Sequence, residues 1–507
     1  MQDFSIVRPH PAAVATEVDR TARTDLNIDQ VLAAVLRADT GYDLGPLFLQ
    51  PIRDPDTVTY RREVFADLDD LPLRAAFHEF AAGMRAIRQA LAQTARLEQP
   101  HQRRRWHLDA AENYLLVLTR LSEELSGLPV HSRGLREWRE LLTAHLHGPR
   151  ITALSDAVRE VRRELDTVRY SLRIVGRTIE VGFDEGAADY SAALANLFAR
   201  FGSAAPAATR PQAQWSDMNQ TEEQILREVA QLHPGPFARL ERFCSDHPDF
   251  LDPVVLRFDR EIQFYLVYLA FGRNLAAQGH PLRLPETAAP GEEIYAHGAF
   301  DLALATRPRR ENSLVCNDFQ LSGPERVLMV TGPNQGGKTT FARMFGQLIY
   351  FAALGCPIPA REARLPLPDA LFTHFEHAED PGDPDGRLLG ELTRMRDTLD
   401  RVTADSVIVM NESFSSTSTS DAVRIGGDIL RRIIDRGALA LWVTFFEELS
   451  RTSPAVVSMV ALTESDDDTA RRTFRIERRP PDGQLHALEL AGHHGLTYDR
   501  VTERIRR

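Results

Sequence analysis

The chain has 507 residues, 43% hydrophobic and 26% charged, with a formal net charge of −12. That length exceeds one hydrophobic core and predicts two to four domains. The acidic balance argues against a wholly basic nucleic-acid coat, though not against a local basic surface. Three dispersed cysteines (Cys244, Cys316, Cys356) exclude a disulfide framework or a paired-cysteine metal site and suit a reducing compartment. The longest apolar run, FYLVYLAF at 264–271, is far short of the ~18–20 residues of a membrane span, and reads as core helix. The N-terminal MQDFSIVRPHP shows no basic-then-apolar signal pattern. The expectation is a cytoplasmic protein without membrane contact.

In chain order, residues 1–24 are polar and aperiodic, and an N-terminal arm is expected there. From Asp25 helical periodicity alternates with turn signals at Thr40-Gly41 and Asp54-Pro55. The spacing then predicts long helices over 73–98, 107–126, 133–147 and 151–169, with apolar residues recurring at three and four. Helices of ~20–25 residues span ~30–38 Å, the proportions of levers. Between Tyr170 and Phe183, YSLRIVGRTIEVGF alternates as a β-hairpin does. GSAAPAATRPQAQ (202–214) reads as a link, and helices return at 220–232, 236–245 and 253–278. Past LPETAAPG, near Pro285–Gly291, apolar strands alternate with helices, the signature of an α/β nucleotide-binding domain. The expected division is an arm at 1–24, a mainly helical core/lever domain at 25–288, and an α/β domain at 289–507. No repeat of fixed period is present.

The α/β part is organised around TGPNQGGKTT (331–340), which follows the apolar VLMV (327–330) and precedes a helical pattern. Gly332 through Thr339 fit G-x-x-x-x-G-K-[ST], in which glycines let backbone N–H groups curl around phosphates at a helix N-terminus. The candidate nucleotide-binding residues are Gly332, Pro333, Asn334, Gln335, Gly336, Gly337, Lys338, Thr339 and Thr340. Lys338 is expected to reach the β- and γ-phosphates of ATP, and the Thr339 hydroxyl to ligate Mg²⁺. Of the chain's 60 Lys and Arg residues, Lys338 is the one lysine. A compact ammonium stands where a planar guanidinium would not fit the same pocket.

SVIVMNES (406–413) supplies the second strand such a site needs: β-branched and apolar, then Asn411 and Glu412. Glu412 is the candidate to orient the attacking water. Asn411 stands where an aspartate usually helps hold Mg²⁺; it keeps a carbonyl acceptor and loses the charge. Nucleotide binding is therefore expected with weak Mg²⁺ affinity or slow hydrolysis.

These stretches, with ALGCPIPA (353–360), LFTHFEHAED (371–380), ELTRM (391–395), SVIVMNESFSSTSTSDA (406–422) and VTFFEELS (443–450), resemble the ATPase domain of the MutS family of DNA mismatch repair proteins. CNDFQLSGPERVLMVTGPN (316–334) fits too, with Asn317 at the family's asparagine before the loop, and GPLFLQPIRDPDTVTYRREVFADL (45–68) is more weakly similar to its core–lever region. The resemblance implies an α/β P-loop NTPase (ABC-type ATPase) domain C-terminal to a mainly α-helical core/lever domain. It also implies a homodimer with composite ATP sites, the Ser416–Asp421 segment near the interface, and paired levers embracing double-stranded or branched DNA.

Departures from the family pattern are equally specific. The mismatch-reading N-terminal domain, which inserts a wedge into the minor groove, and the connector domain are expected to be absent. Phe445 stands at the family's histidine near the γ-phosphate, Ser413-Phe414-Ser415 replaces Ile-Gly-Arg, and the stretch at Gly386–Leu389 is shortened. The expectation is a DNA-associated ATPase in repair or recombination whose slow hydrolysis moves a clamp, without the family's usual mismatch reading. The alternatives are a nucleotide-gated scaffold with little hydrolysis, or an ABC-like ATPase acting on a protein partner.

Other signals read more plainly. Arg103-Arg104-Arg105 is expected at a solvated helix end rather than on a DNA backbone. His493-His494 reads as a surface turn, Asp466-Asp467-Asp468 as a loop tip, and 492–507 as a packing tail ending in a basic helix.

Overall fold

A computed structural model of the chain describes residues 4–9, 14–39, 41–176, 178–184, 218–307, 314–376, 387–415, 417–466, 469–481 and 502. The expectations for 202–214, Ser416, Asp467-Asp468, His493-His494 and, save Thr502, the tail 492–507 lie outside these residues.

The chain begins with helices α1 (Arg20–Asp25), α2 (Ile28–Val35), α3 (Gly45–Phe48), α4 (Pro55–Asp67), α5 (Leu71–Thr94), α6 (Pro100–Gly127), α7 (Arg133–Leu146) and α8 (Pro149–Leu165). Strands β1 (Tyr170–Val175) and β2 (Thr178–Phe183) follow, then α9 (Gln220–Leu232), α10 (Pro234–Asp246) and α11 (Pro253–Ala276). The remainder alternates: β3 (Glu286–Thr287), β4 (Ile294–Ala299), α12 (Leu302–Ala305), β5 (Asn317–Leu321), β6 (Val327–Thr331), α13 (Lys338–Ala353), β7 (Glu362–Leu365) and β8 (Leu371–Phe375). It ends with α14 (Arg387–Arg401), β9 (Val407–Asn411), α15 (Thr419–Arg436), β10 (Leu439–Val443), β11 (Val456–Asp466) and β12 (Thr469–Arg478). Among the described residues no helix is long and apolar enough to cross a membrane.

The long helices begin where local chemistry starts them. Asp54 and Asp70 cap α4 and α5 by accepting the Thr57 and Leu73 N–H groups, and Asn219 with Glu222 forms a reciprocal capping box on α9. The helix expected from 107 begins instead at Pro100, because the Gln99 side chain caps it and proline suits the first helical position. The three arginines at 103–105 therefore lie in the early turns of α6. Arg104 pairs with Glu241, and Arg105 Nε lies 3.0 Å from Asp109.

One compact unit comprises Asp70–Val130 and Leu135–Asp259. Gly83 of α5 faces Val117 of α6 so closely that a Cβ there would stand 2.5 Å from a Val117 methyl. Trp138 and Phe258 stack with ring centroids 3.7 Å apart, and Phe77 and Phe80 tilt onto Phe258. The hairpin β1–β2 pairs Tyr170 with Phe183 and Ile174 with Ile179, as its alternation predicts.

The second unit comprises Phe4–Asp69, His131–Gly134 and Arg260 onward. Its six-stranded sheet runs β12-β11-β6-β10-β9-β8, parallel except for the β11–β12 pair. A four-stranded sheet, β3-β7-β4-β5, accompanies it. Strands β6 and β9 are buried at every residue, as parallel strands covered on both faces must be. On one face Met395 and Leu399 of α14 and Ile429 and Ile433 of α15 pack against Met329, Ile408, Met410 and Trp442. The N-terminal residues belong to this unit as well: Phe4, Ile6 and Val7 are buried, Glu17 bridges to Ala370 beside β8, and Arg343 Nε of α13 donates to Asp25 O at 3.0 Å.

Candidate functional site

Strand β6 runs directly into the glycine-rich loop. Gly332 takes φ +120°, and a Cβ there would lie 3.0 Å from the Ala461 carbonyl oxygen, so only glycine fits. Gln335 (φ +61°) and Gly337 (φ +93°) are also left-handed, and Gly336 N donates to Pro333 O at 3.2 Å. The chain thus curls and delivers Lys338, Thr339 and Thr340 to the first turn of α13, whose N–H groups have no partner within the helix. Asn334 and Gln335 are exposed, Pro333, Thr339 and Thr340 half-buried, and Gly336 buried. Arg472 of β12 donates to the Gln335 side-chain oxygen.

Lys338 is buried, and its Nζ donates to Gly332 O at 2.8 Å and Pro333 O at 3.0 Å, with Asn334 Oδ1 at 3.5 Å. The ammonium also lies over the Phe445 ring, 4.7 Å from its centroid. Burial pushes the Lys338 pKa below its ordinary value, and the Glu412 charge opposes that shift.

Parallel register aligns the other groups. Val330 of β6 and Asn411 of β9 are both level with Val443 of β10, so the three strands end on one edge. Ligands of open α/β sheets sit off such carboxyl ends. Asn411 is buried, and among the described residues its Oδ1 has no hydrogen-bond partner; the same holds for the Thr331 hydroxyl. Each is an acceptor out of water, a state that costs roughly 1–3 kcal/mol until something pairs with it. Glu412 is half-buried at φ +54°, held by its N–H donating to Val443 O at 2.9 Å. The structure thus brings Lys338, Glu412 and Phe445 together, and sets Asn411 at the same strand edge.

A buried cluster behind Glu412 was not singled out in the sequence. His374 Nδ1 lies 2.8 Å from Ser413 Oγ and Nε2 lies 3.1 Å from Glu391 O. Phe414 N donates to Glu391 Oε2 at 3.0 Å, and the His374 and Phe414 rings stack at 5.4 Å. Phe414 is a second left-handed residue, φ +65°. Only a histidine in the apolar strand LFTHF hinted at this cluster, because Ser413 and Glu391 read as ordinary polar positions.

Asn317 ties β5 to β12: its Nδ2 donates to Phe474 O at 3.2 Å and its Oδ1 accepts from Ile476 N at 2.7 Å. Beside it opens a groove of about 560 Å³ lined by His297, Asp318, Arg361, Ile476 and Arg478, among others. Among the described residues no three His, Cys, Asp or Glu side chains converge as a metal site.

Comparison with known proteins falls on this half of the chain. The family model of MutS domain V matches residues 328–486. The DNA mismatch repair protein MutS of Brevibacillus brevis is 29% identical over 214 residues, 41% of this chain and 25% of the relative. MutS of Shouchella clausii is 34% identical over 148 residues, 29% of this chain and 17% of the relative. MutS of Thermotoga petrophila is 29% identical over 217 residues, 42% of this chain and 27% of the relative. The aligned part spans about a quarter or less of the length of each relative. Over its C-terminal part the chain thus matches the MutS domain V model and is similar to MutS proteins.

Proposed function

We propose that the chain is a MutS-like, DNA-associated ATPase of the α/β P-loop class, in which ATP binding and slow hydrolysis at the 332–340 loop drive movement of its helical lever region on DNA. One observation carries the reading. The single lysine of the chain is buried in a left-handed glycine loop at a helix N-terminus, at the carboxyl edge of the parallel strands where Asn411 and Glu412 lie. Lys338 and the N–H groups of the loop and first helical turn neutralise the phosphates, and Glu412 orients the attacking water.

The residues fit a magnesium ion. The orphaned, buried Asn411 Oδ1 is a neutral oxygen donor of the type Mg²⁺ accepts alongside phosphates and waters, and Thr339 stands half-buried in the first turn. Bound there, Mg²⁺ would neutralise phosphate charge as it develops. Without a strand-end carboxylate among its holders, weak affinity and slow turnover follow.

The relatives' printed function, DNA mismatch repair, supports DNA as the partner; a homodimer acting on duplex or branched DNA, in repair or recombination, is part of this proposal. A second reading, a nucleotide-gated scaffold with little hydrolysis, is favoured by the Lys338 ammonium being already satisfied by its own loop and Phe445. Steady-state phosphate release separates them. Turnover that vanishes in Lys338→Ala, with Glu412→Ala retaining ATP binding but losing turnover, supports the enzyme. No turnover above that of Lys338→Ala supports the scaffold, and normal turnover in Glu412→Ala removes that residue's role.

A further inference from the structure

The turn that carries Glu412 is conformationally expensive. Two of its residues, Glu412 and Phe414, are non-glycine and left-handed, a strained state that persists only where neighbours enforce it. The enforcing groups are visible. Glu412 N is fixed by Val443 O and Phe414 N by the Glu391 carboxylate of α14. Between them Ser413, 2% exposed, directs its hydroxyl at the equally buried His374.

The hydrogen bonds select the histidine tautomer. Glu391 O can only accept, so the nitrogen facing it at 3.1 Å, Nε2, carries the proton. Nδ1 is then the acceptor, and the Ser413 hydroxyl donates to it at 2.8 Å. The backbone carbonyl of His374, 3.1 Å from the same Oγ, is the alternative acceptor for that hydroxyl. The stacked Phe414 ring closes the cluster on its apolar side.

We infer that His374 is a positioning residue: through the Ser413 hydroxyl and the Phe414 ring it holds the left-handed turn that aims the Glu412 carboxylate at the attacking water. Glu391 couples α14 to the same turn. The inference rests on the proposed role of Glu412. It goes beyond that role because His374 lies on β8, level with Met410 of β9 and outside the glycine-rich loop, and the residue is nearly sealed from solvent. Its ring nitrogens are taken up by Ser413 and Glu391 O, so its effect on hydrolysis passes through Glu412. Misplacing a reacting group by ~1 Å can cost about 100-fold in rate.

The test uses the full chain and three substitutions of graded severity. His374→Asn keeps an acceptor near the position of Nδ1, His374→Gln keeps a donor toward Glu391 O but loses Ser413, and Ser413→Ala removes the hydroxyl alone. Each is measured for affinity to a non-hydrolysable ATP analogue, for steady-state kcat, and for single-turnover rate on a Glu412→Ala background, with thermal melting as the check on folding. Expected is a kcat loss of about 10–100-fold in His374→Gln and Ser413→Ala, analogue affinity within about twofold, most of the rate restored in His374→Asn, and no further loss on the Glu412→Ala background. Wild-type kcat in folded His374→Gln, parallel loss of affinity and kcat, or additive loss on the Glu412→Ala background overturns the inference. Failure of the underlying reading looks different: the wild-type chain shows no turnover, or Glu412→Ala hydrolyses normally.

Discussion

The Lys338 ammonium lies 4.7 Å from the centroid of the Phe445 ring while donating to two carbonyls of its own loop. The lysine is therefore already engaged by its own loop, and on the proposed function phosphate oxygens would compete for it. Phe445 is 44% exposed, so the ring contributes about 0.5–1 kcal/mol, the range of solvent-accessible cation–π pairs. Phe445→Leu keeps an apolar side chain and removes the π face. It is expected to tighten ATP binding about 2–5-fold in a fluorescent-nucleotide titration. Unchanged or weaker binding would mean that the ring holds Lys338 equally well with phosphate present.

The same lysine makes a pH prediction. Burial lowers its pKa below the ordinary 10.5, and Glu412 opposes the shift. The unfolded chain binds the extra proton between the lowered and the ordinary value, so this group's contribution to stability rises with pH across that window. Its penalty is present in full below the lowered pKa and gone above the ordinary one. Nucleotide affinity is expected to run the other way, because phosphates favour the ammonium: it is full below the lowered pKa and declines as pH rises through it. Replacing Glu412 with Gln removes the opposing charge, so the decline should begin at lower pH. Titrations of nucleotide Kd against pH for both proteins check it, and coincident profiles would show that the two charges do not communicate.

Asn411→Asp tests the metal assignment. The orphaned Oδ1 would become part of a carboxylate in a buried position, where an unpaired charge is costly. Without divalent cation the variant should melt at lower temperature than the wild type, and Mg²⁺ with nucleotide should restore it by linkage. The Mg²⁺ concentration for half-maximal turnover should fall about 10-fold or more, the equivalent of ~1.4 kcal/mol. An unchanged Mg²⁺ dependence would place the ion away from Asn411.

Much of this could be read from residues alone, for reasons that differ by element. The loop was legible because its chemistry needs glycines and a lysine at fixed spacing, and VLMV and SVIVM because strands buried on both faces are continuously apolar. The hairpin at 170–183 followed from alternation, and the helices at 220–232 and 253–278 from periodicity, the latter ending at Ala276. Two things were not legible. The start of α6 was missed because its signal is one capping Gln99 and one Pro100 rather than a periodicity. The His374–Ser413–Glu391 cluster joins β8, the turn after β9 and α14, and no local pattern records a hydrogen bond between residues 39 positions apart. The packing of the N-terminal residues was equally hidden, since the apolar FSIV is too short to show a period.

That N-terminal packing yields the last prediction. Gly346, in the middle of α13, faces Leu26 so closely that a Cβ would lie 2.5 Å from one Leu26 methyl carbon and 2.6 Å from the other. One turn-face neighbour, Gln347, donates to Leu26 O at 2.9 Å and to Asp301 Oδ1 at 3.0 Å, so the segment cannot simply retreat without breaking buried hydrogen bonds. Gly346→Ala should therefore destabilise by about 1–3 kcal/mol through overpacking, despite alanine's better helix propensity of roughly 1 kcal/mol. Leu26→Ala alone should also destabilise, by about 2–5 kcal/mol, through the cavity it leaves. Combined, the two changes exchange a methyl for part of the lost side chain, so the double variant should be more stable than the sum of the single losses by about 1 kcal/mol or more. Denaturant unfolding of the three variants measures the coupling. Strict additivity would show that Leu26 does not rest on α13 in solution, and would break the link between the N-terminal residues and the helix that begins at Lys338.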